Sequence, residues 1–177
     1  MRPLRLFLWG LVVVAAGLLG LFAYMLKQPK DEFVHSAMIG RPVPAFALPA
    51  IVTDRPGLTS RDLADGAPKL LNVFASWCVP CAAEAPQLAA LERQGATIVA
   101  VAIRDRPEDA AAFLARYGNP YARIGKDDVR QVQLSLGSSG VPETFVVDGH
   151  GVIRYQQIGP IRDEDVAVLL AELGKAA

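Results

Sequence analysis

The residues best suited to chemistry in this chain are its two cysteines, and they stand close together in Trp77-Cys78-Val79-Pro80-Cys81. The segment follows a short apolar run, Lys69 to Ala75, of the kind expected of a central strand covered on both faces. It opens a stretch that reads as a helix from about Val79 to Arg93. A helix N-terminus offers unpaired N–H groups and a partial positive charge, and both favour a thiolate at Cys78. Pro80 is tolerated in the first turn, where its missing N–H costs little. The two-residue gap lets Cys81 reach Cys78 and close a small ring. Such a pair can run thiol–disulfide exchange: Cys78 attacks a partner disulfide, and Cys81 then resolves the mixed disulfide.

Other uses of two cysteines fit less well. A structural disulfide is open to an exported protein, but a loop this short restrains little of the unfolded chain. Attachment of c-type haem needs Cys-x-x-Cys-His, and Ala82 stands where the histidine should be. A zinc centre would have only His35 and His150 to help, and neither histidine takes a role here. Two cysteines are also too few for a disulfide-rich scaffold.

The elements that must position the pair are legible around it. Thr97 to Ile103 is a second apolar, β-branched run, and Asp105-Arg106-Pro107-Glu108-Asp109 starts a helix, with Asp105 reading as its cap. Tyr121 to Ile124 reads as a short strand, and Asp127 as the cap of a helix whose Val129, Val132 and Leu136 share a face. Thr144 to Asp148 and Val152 to Gln156 form a hairpin around Asp148-Gly149-His150-Gly151. Asp163 to Leu173 closes the chain as an amphipathic helix. Upstream, Arg41 to Leu48 is extended, and a helical turn falls near Ser60–Ala64. The order β-α-β, then an αβ piece, then β-β-α implies an α/β fold with a mixed sheet between helices.

The chain's averages hide two parts. Leu6 to Leu26 carries no charge and is apolar except at Gly10, Gly17 and Gly20. As a helix this segment is about 31 Å long, against a bilayer core of ~30 Å. The 177 residues balance 18 Lys+Arg against 18 Asp+Glu, which excludes the basic surface of a nucleic-acid-binding protein. That zero is a cancellation, because Arg2, Arg5, Lys27 and Lys30 lie in the first thirty residues with no acid beside them. The expected organisation is a cytoplasmic tail at 1–5, a transmembrane anchor at 6–26, a linker at 27–39 and a globular domain at 40–177. Arg2 and Arg5 favour a cytoplasmic N-terminus, and Lys27 and Lys30 oppose them. A cleaved signal peptide is the alternative, though its apolar core is usually shorter and Leu26-Lys27-Gln28-Pro29 is a poor cleavage site. Either way the domain is exported.

On these residues the chain resembles the thioredoxin superfamily. Trp77-Cys78-x-Pro80-Cys81 after a strand is that family's signature, and Pro86 falls where the family kinks its active-site helix. Val141-Pro142-Glu143-Thr144-Phe145 is similar to the family's cis-proline loop. The resemblance implies a cis peptide at Val141–Pro142 facing the cysteines, with nearby backbone free to pair with a substrate peptide. Asn72 stands where cytosolic thioredoxins carry a buried Asp. Asn cannot take a proton, and Glu84, three residues after Cys81 and on the same helical face, is placed for that role. This pattern, with the anchor, resembles the extracytoplasmic thiol:disulfide interchange proteins of the DsbE or CcmG type, with relatives of the ResA/TlpA type. Tyr117-Gly118-Asn119-Pro120-Tyr121 and the run from Gly140 to Tyr155 favour the DsbE branch.

The resemblance implies a thioredoxin-like domain held at the inner membrane and facing the periplasm, with no bound cofactor. Its catalytic residues would be Cys78 and Cys81, with Glu84 and Glu143 as the acids near the pair. Trp77, Val141 and Pro142 would contact substrate. The implied activity is reduction of a disulfide in apocytochrome c or a CcmH-type maturation partner. A DsbD/CcdA-type membrane thiol transporter would supply the electrons. A broader ResA/TlpA-type reductant, a DsbA-like oxidant and an apocytochrome-binding module with an inert disulfide stay open.

Overall fold

A computed structural model describes residues 2–27 and 37–177. His35 and most of the expected linker lie outside the described residues. The chain divides into two units, residues 1–33 and 34–177, and each is taken by itself. In the first, Arg2–Lys27 forms one continuous α-helix of 26 residues, α1. It exposes large apolar side chains along its length, from Phe7 and Trp9 to Phe22 and Met25. Counting only the described residues, no helix is long and apolar enough to cross a membrane.

The second unit is an α/β domain. Its five-stranded sheet runs in the order β5-β4-β3-β6-β7. Strands β3 (Lys69–Phe74), β4 (Ile98–Ile103) and β5 (Tyr121–Asp127) are parallel, while β6 (Glu143–Val147) adds antiparallel to β3 and β7 (Ile153–Ile158) antiparallel to β6. The apolar runs around β3 and β4 become strands with every residue buried. That matches their central places, covered on both faces. A small pair, β1 (Ala47–Leu48) and β2 (Leu58–Thr59), precedes a 3₁₀ turn at Ser60–Leu63.

The helix expected over Val79–Arg93 is two helices, α2 (Val79–Ala83) and α3 (Ala85–Arg93), broken at Glu84. Pro86 causes the break, because it has no N–H to give the Ala82 carbonyl one turn back. The helix expected after Asp105 is α4 (Pro107–Tyr117). The short strand expected at Tyr121–Ile124 continues to Asp127, where parallel pairing with β4 holds it. Asp127 does secure the next helix, α5 (Gln131–Ser135), by accepting from the Gln131 and Gln133 N–H groups at 2.9 and 3.0 Å. Val129 does not share its buried face: it precedes the helix and is 72% exposed, whereas Val132 and Leu136 are buried. The closing helix α6 runs Asp163–Lys175 and packs on α3 and β6.

Side chains alternate across a strand, so each strand serves both faces of the sheet. Asn72 and Phe74 point to the face carrying α2, α3 and α4. There Phe74 meets Phe113 of α4 at 5.8 Å and Tyr121 of β5 at 5.2 Å between ring centroids. Leu71 and Val73 point to the opposite face, and both are fully buried.

Candidate active site

Cys78 and Cys81 form a disulfide, with Cα atoms 5.3 Å apart. Cys78 is the residue before α2, and its Sγ accepts the Cys81 N–H at 3.2 Å. Part of the helix-terminal N–H potential is thus aimed at the sulfur, where it stabilises negative charge. Both cysteines are buried, yet Trp77 and Val79 beside them are 57% and 80% exposed. An apolar rim therefore flanks the sulfurs. The Trp77 Nε1–H donates to the Arg104 carbonyl at 3.2 Å, which holds the indole against the end of β4. Arg104 takes a left-handed backbone (φ 45°), and its N–H donates to the Asp127 carbonyl at 3.2 Å.

The turn into Cys78 is fixed by a residue that sequence reasoning misassigned. Asp105 does not cap α4, whose preceding residue is Arg106. Its carboxylate instead accepts from the Ser76 N–H and the Ser76 hydroxyl, each at 2.6 Å, and from the Arg106 N–H at 3.0 Å. Parallel neighbours end on the same edge of the sheet, so the residue just past β4 lies against the loop just past β3. Replacing Asp105 with Ala removes the acceptor of three partly buried donors. It should destabilise the protein by about 1–3 kcal/mol and speed amide hydrogen exchange at Ser76 above the global opening rate. Unchanged exchange at Ser76 would show that the tie is incidental.

The Val141–Pro142 peptide is cis. In the β3–β6 register Val73 stands opposite Glu143, so Pro142 comes level with Phe74, where β3 leads into the cysteine loop. Topology thus brings the proline loop to the disulfide's end of the sheet. The Pro142 carbonyl accepts from the Gly159 N–H at 3.1 Å, which ties the loop to the end of β7.

Glu84 is fully buried at the α2–α3 break, one helical turn after Cys81. Its Oε1 accepts from Asn72 Nδ2 at 3.1 Å, and its Oε2 from the Ile161 N–H at 2.9 Å. Burial raises its pKa to about 7, against the pull of the Ile161 and Asn72 hydrogen bonds. A carboxyl of that pKa can both take and release a proton near neutrality. Asn72 also donates from Nδ2 to Thr144 Oγ1 at 3.0 Å and accepts from the Tyr121 hydroxyl at 2.8 Å. Tyr121 is buried, and that burial, with the Glu84 charge, holds its phenol well above the usual value. Sequence reasoning missed Tyr121 and Thr144 as members of the site. The resemblance named Asn72 as a substitution, but nothing in the spacing said what would reach it.

Glu143 is not brought alongside Glu84. Thr144 faces Asn72, so its neighbour Glu143 faces the other side of the sheet. There its buried carboxylate accepts from the Ser138 hydroxyl, from Gln156 Nε2, and from the Ser139 N–H at 3.0 Å. Gln133 Nε2 also donates to the Gly140 carbonyl, at 3.2 Å. Glu143 is therefore the anchor beneath the loop that presents Val141 and Pro142.

Comparisons with known proteins agree with this geometry. The Redoxin family model matches residues 38–173. The thiol:disulfide interchange protein HelX of Rhodobacter capsulatus is 39% identical over 153 residues, covering 86% of each chain. The thiol:disulfide interchange protein DsbE of Escherichia coli K12 is 37% identical over 181 residues, covering 99% of this chain and 95% of that one. A crystal structure from Chlorobium tepidum, described as a thiol:disulfide interchange protein DsbE, superposes with a TM-score of 0.66 at 28% identity. That superposition covers 78% of this chain and 96% of the other. With its signature disulfide at the head of α2 and its cis-proline across from β3, the chain belongs to the Redoxin family of the thioredoxin superfamily, as a thiol–disulfide oxidoreductase of the DsbE type.

Proposed function

We propose that this protein is a membrane-anchored periplasmic reductant that opens a disulfide in apocytochrome c, or in a CcmH-type maturation partner, during cytochrome c assembly. The observation that carries the reading is the buried Glu84 one turn beyond Cys81, in a chain similar to DsbE over almost its whole length. Reduced Cys78 attacks the client disulfide as a thiolate, and one client sulfur leaves with the electron pair. Cys81 then gives its proton to Glu84, attacks Cys78 Sγ and expels the second client sulfur. The protein is left as the disulfide form, and a DsbD/CcdA-type transporter returns it to the dithiol. Trp77, and the backbone around Val141 and Pro142, hold the client across the sulfurs. No bound cofactor takes part, because both electrons pass between sulfurs.

Anchoring is part of the same proposal. Its support is the sequence: the uncharged run Leu6 to Leu26 is about 31 Å long as a helix, against a hydrocarbon core of ~30 Å, although no described helix is by itself long and apolar enough to cross. The exposed side chains of α1 are predominantly apolar. With Arg2 and Arg5 retained in the cytoplasm, the domain beyond α1 faces the periplasm.

The test is Cys81→Ser in the full chain, expressed in a cell making c-type cytochromes. Without the resolving thiol, the mixed disulfide on Cys78 should accumulate. Mass spectrometry should find apocytochrome c or a cytochrome maturation component bound there. Recovery of unrelated exported proteins alone would favour the broader ResA/TlpA-type reductant and overturn the specific assignment.

A further inference from the structure

The hydrogen bonds around Glu84 are arranged for its ionised form. One carboxylate oxygen faces Asn72 Nδ2 and the other faces the Ile161 N–H, so both neighbours are donors. A proton arriving on Oε2 would meet a backbone N–H that cannot accept. A proton on Oε1 would meet the Asn72 NH₂, again donor against donor. In a buried site an unpaired donor carries its full desolvation cost. The backbone N–H cannot reverse its polarity, but a side-chain amide can. Its oxygen and nitrogen exchange places by a half-turn about the last torsion, with almost no change of shape.

The other two partners of Asn72 permit that half-turn. Its Oδ1 accepts from the Tyr121 hydroxyl, and its Nδ2 donates to Thr144 Oγ1. Both partners are hydroxyls, which can serve as donor or acceptor. We propose that Asn72 turns its amide over when Glu84 takes the Cys81 proton. Its Oδ1 then accepts from the new carboxyl O–H and from the Thr144 hydroxyl, and its Nδ2 donates to the Tyr121 oxygen. Three hydrogen bonds join Asn72 to these side chains before the turn, and three join it afterwards. Asn72 is thus a positioning residue, one that makes either protonation state of Glu84 acceptable in the same cavity.

The inference rests on Glu84 as the proton acceptor for Cys81, and it adds how the sheet accommodates that proton. The groups facing Glu84 are few. Asn72 comes from β3 and the Ile161 N–H from the segment before α6, with Cys81 one turn back on α2. Tyr121 on β5 acts through Asn72. Cys81 and Tyr121 are the titratable members, and no charged side chain is among the causes of the shift at Glu84.

The test is NMR on the oxidised full chain in detergent micelles, following the Glu84 carboxyl carbon and the Asn72 side-chain NH₂ together from about pH 5 to pH 9. At the alkaline end the NH₂ protons should show cross-relaxation to Glu84 and Thr144. At the acid end they should show it to the Tyr121 ring, and the exchange should share the midpoint of the carboxyl titration. If Glu84 titrates while the NH₂ keeps its alkaline contacts throughout, the amide does not turn; this proposal is then overturned and the role of Glu84 survives. If Glu84 does not titrate in that range, both fall. Asn72→Leu gives an independent reading. A turning amide supports both states of Glu84, so its loss should change the proton affinity less than about threefold. A fixed donor supports only the ionised state. Its loss would raise the affinity tenfold or more, which would overturn the proposal.

Discussion

Cys78→Ala is expected to abolish thiol–disulfide exchange, leaving a disulfide-bonded Cys-x-x-Cys-His peptide to be opened only at the background rate of free thiols. Cys78 is the sulfur at the head of α2, receiving the Cys81 N–H and flanked by the exposed Trp77 and Val79. Cys81, inside the first turn of α2, cannot replace it. An attack from Cys81 would end in a mixed disulfide with no second thiol to resolve it, so no turnover would follow. The loss should be chemical rather than conformational. The ring closed by the two cysteines spans only three residues of separation, and so short a loop restrains little of the unfolded chain. Circular dichroism and the unfolding midpoint of the variant should stay near those of the wild-type protein, while peptide reduction and cytochrome c assembly both disappear. Normal cytochrome assembly in the variant would instead mean that the domain acts by holding its client, with the disulfide inert.

The second large effect is a dependence of stability on pH that Glu84 imposes. Its carboxyl has a pKa of about 7 in the folded protein against an ordinary value of 4.5. The native state therefore holds this proton more tightly than the unfolded chain does. Below about pH 4.5 both states are protonated and nothing is lost. As pH rises towards 7 the unfolded chain releases its proton first, and stability falls. Above 7 the loss is complete, at about 3 kcal/mol from 1.36 kcal/mol per unit. The sign is opposite to that of Asp148. There burial pushes upward, but the Val152 and His150 amides and Arg154 hold the carboxyl below its ordinary 3.8. Stability from Asp148 is lost only as pH falls below about 4, outside the Glu84 window. Urea unfolding of the oxidised protein should show stability declining between pH 5 and pH 7.5, and Glu84→Gln should remove most of that slope. Parallel curves for the two proteins would show that Glu84 does not bind its proton more tightly in the folded state.

Much of this site was legible before any coordinates. The cysteine pair, the strand before it and the proline loop carry local signatures: an apolar run, a fixed spacing, a Pro where a strand begins. Periodicity also found β4, α4, α6 and the hairpin, because each buries one face or two in a regular pattern. Two of the failures concern residues whose partners are distant in sequence. Asp105 sits beside a helix start and so reads as a cap, yet its carboxylate goes to Ser76 across the end of the sheet. Tyr121 reads as the first residue of a minor strand, yet its hydroxyl reaches Asn72 across β4. Val129 fell on an apolar spacing that Asp127 and a left-handed Arg130 interrupt before the helix begins. Glu143 was placed near the pair by the resemblance alone, and strand alternation puts its side chain on the face opposite Thr144, with Ser138, Ser139 and Gln156.

That alternation makes β6 resemble a key cut on both edges. Pro142 forms its tip, Glu143 is the ward that secures the loop on one side, and Thr144 is the ward that enters the Glu84 chamber on the other. Consecutive residues thus operate different locks, and only the count of residues keeps them apart. An inserted or deleted residue here would do more than lengthen or shorten a loop. It would exchange the wards, driving a carboxylate into the cavity that holds Glu84 and leaving Ser138 and Ser139 without their acceptor. Side chains on this strand can be varied in chemistry, one edge at a time, but its spelling has no room for a frameshift in space.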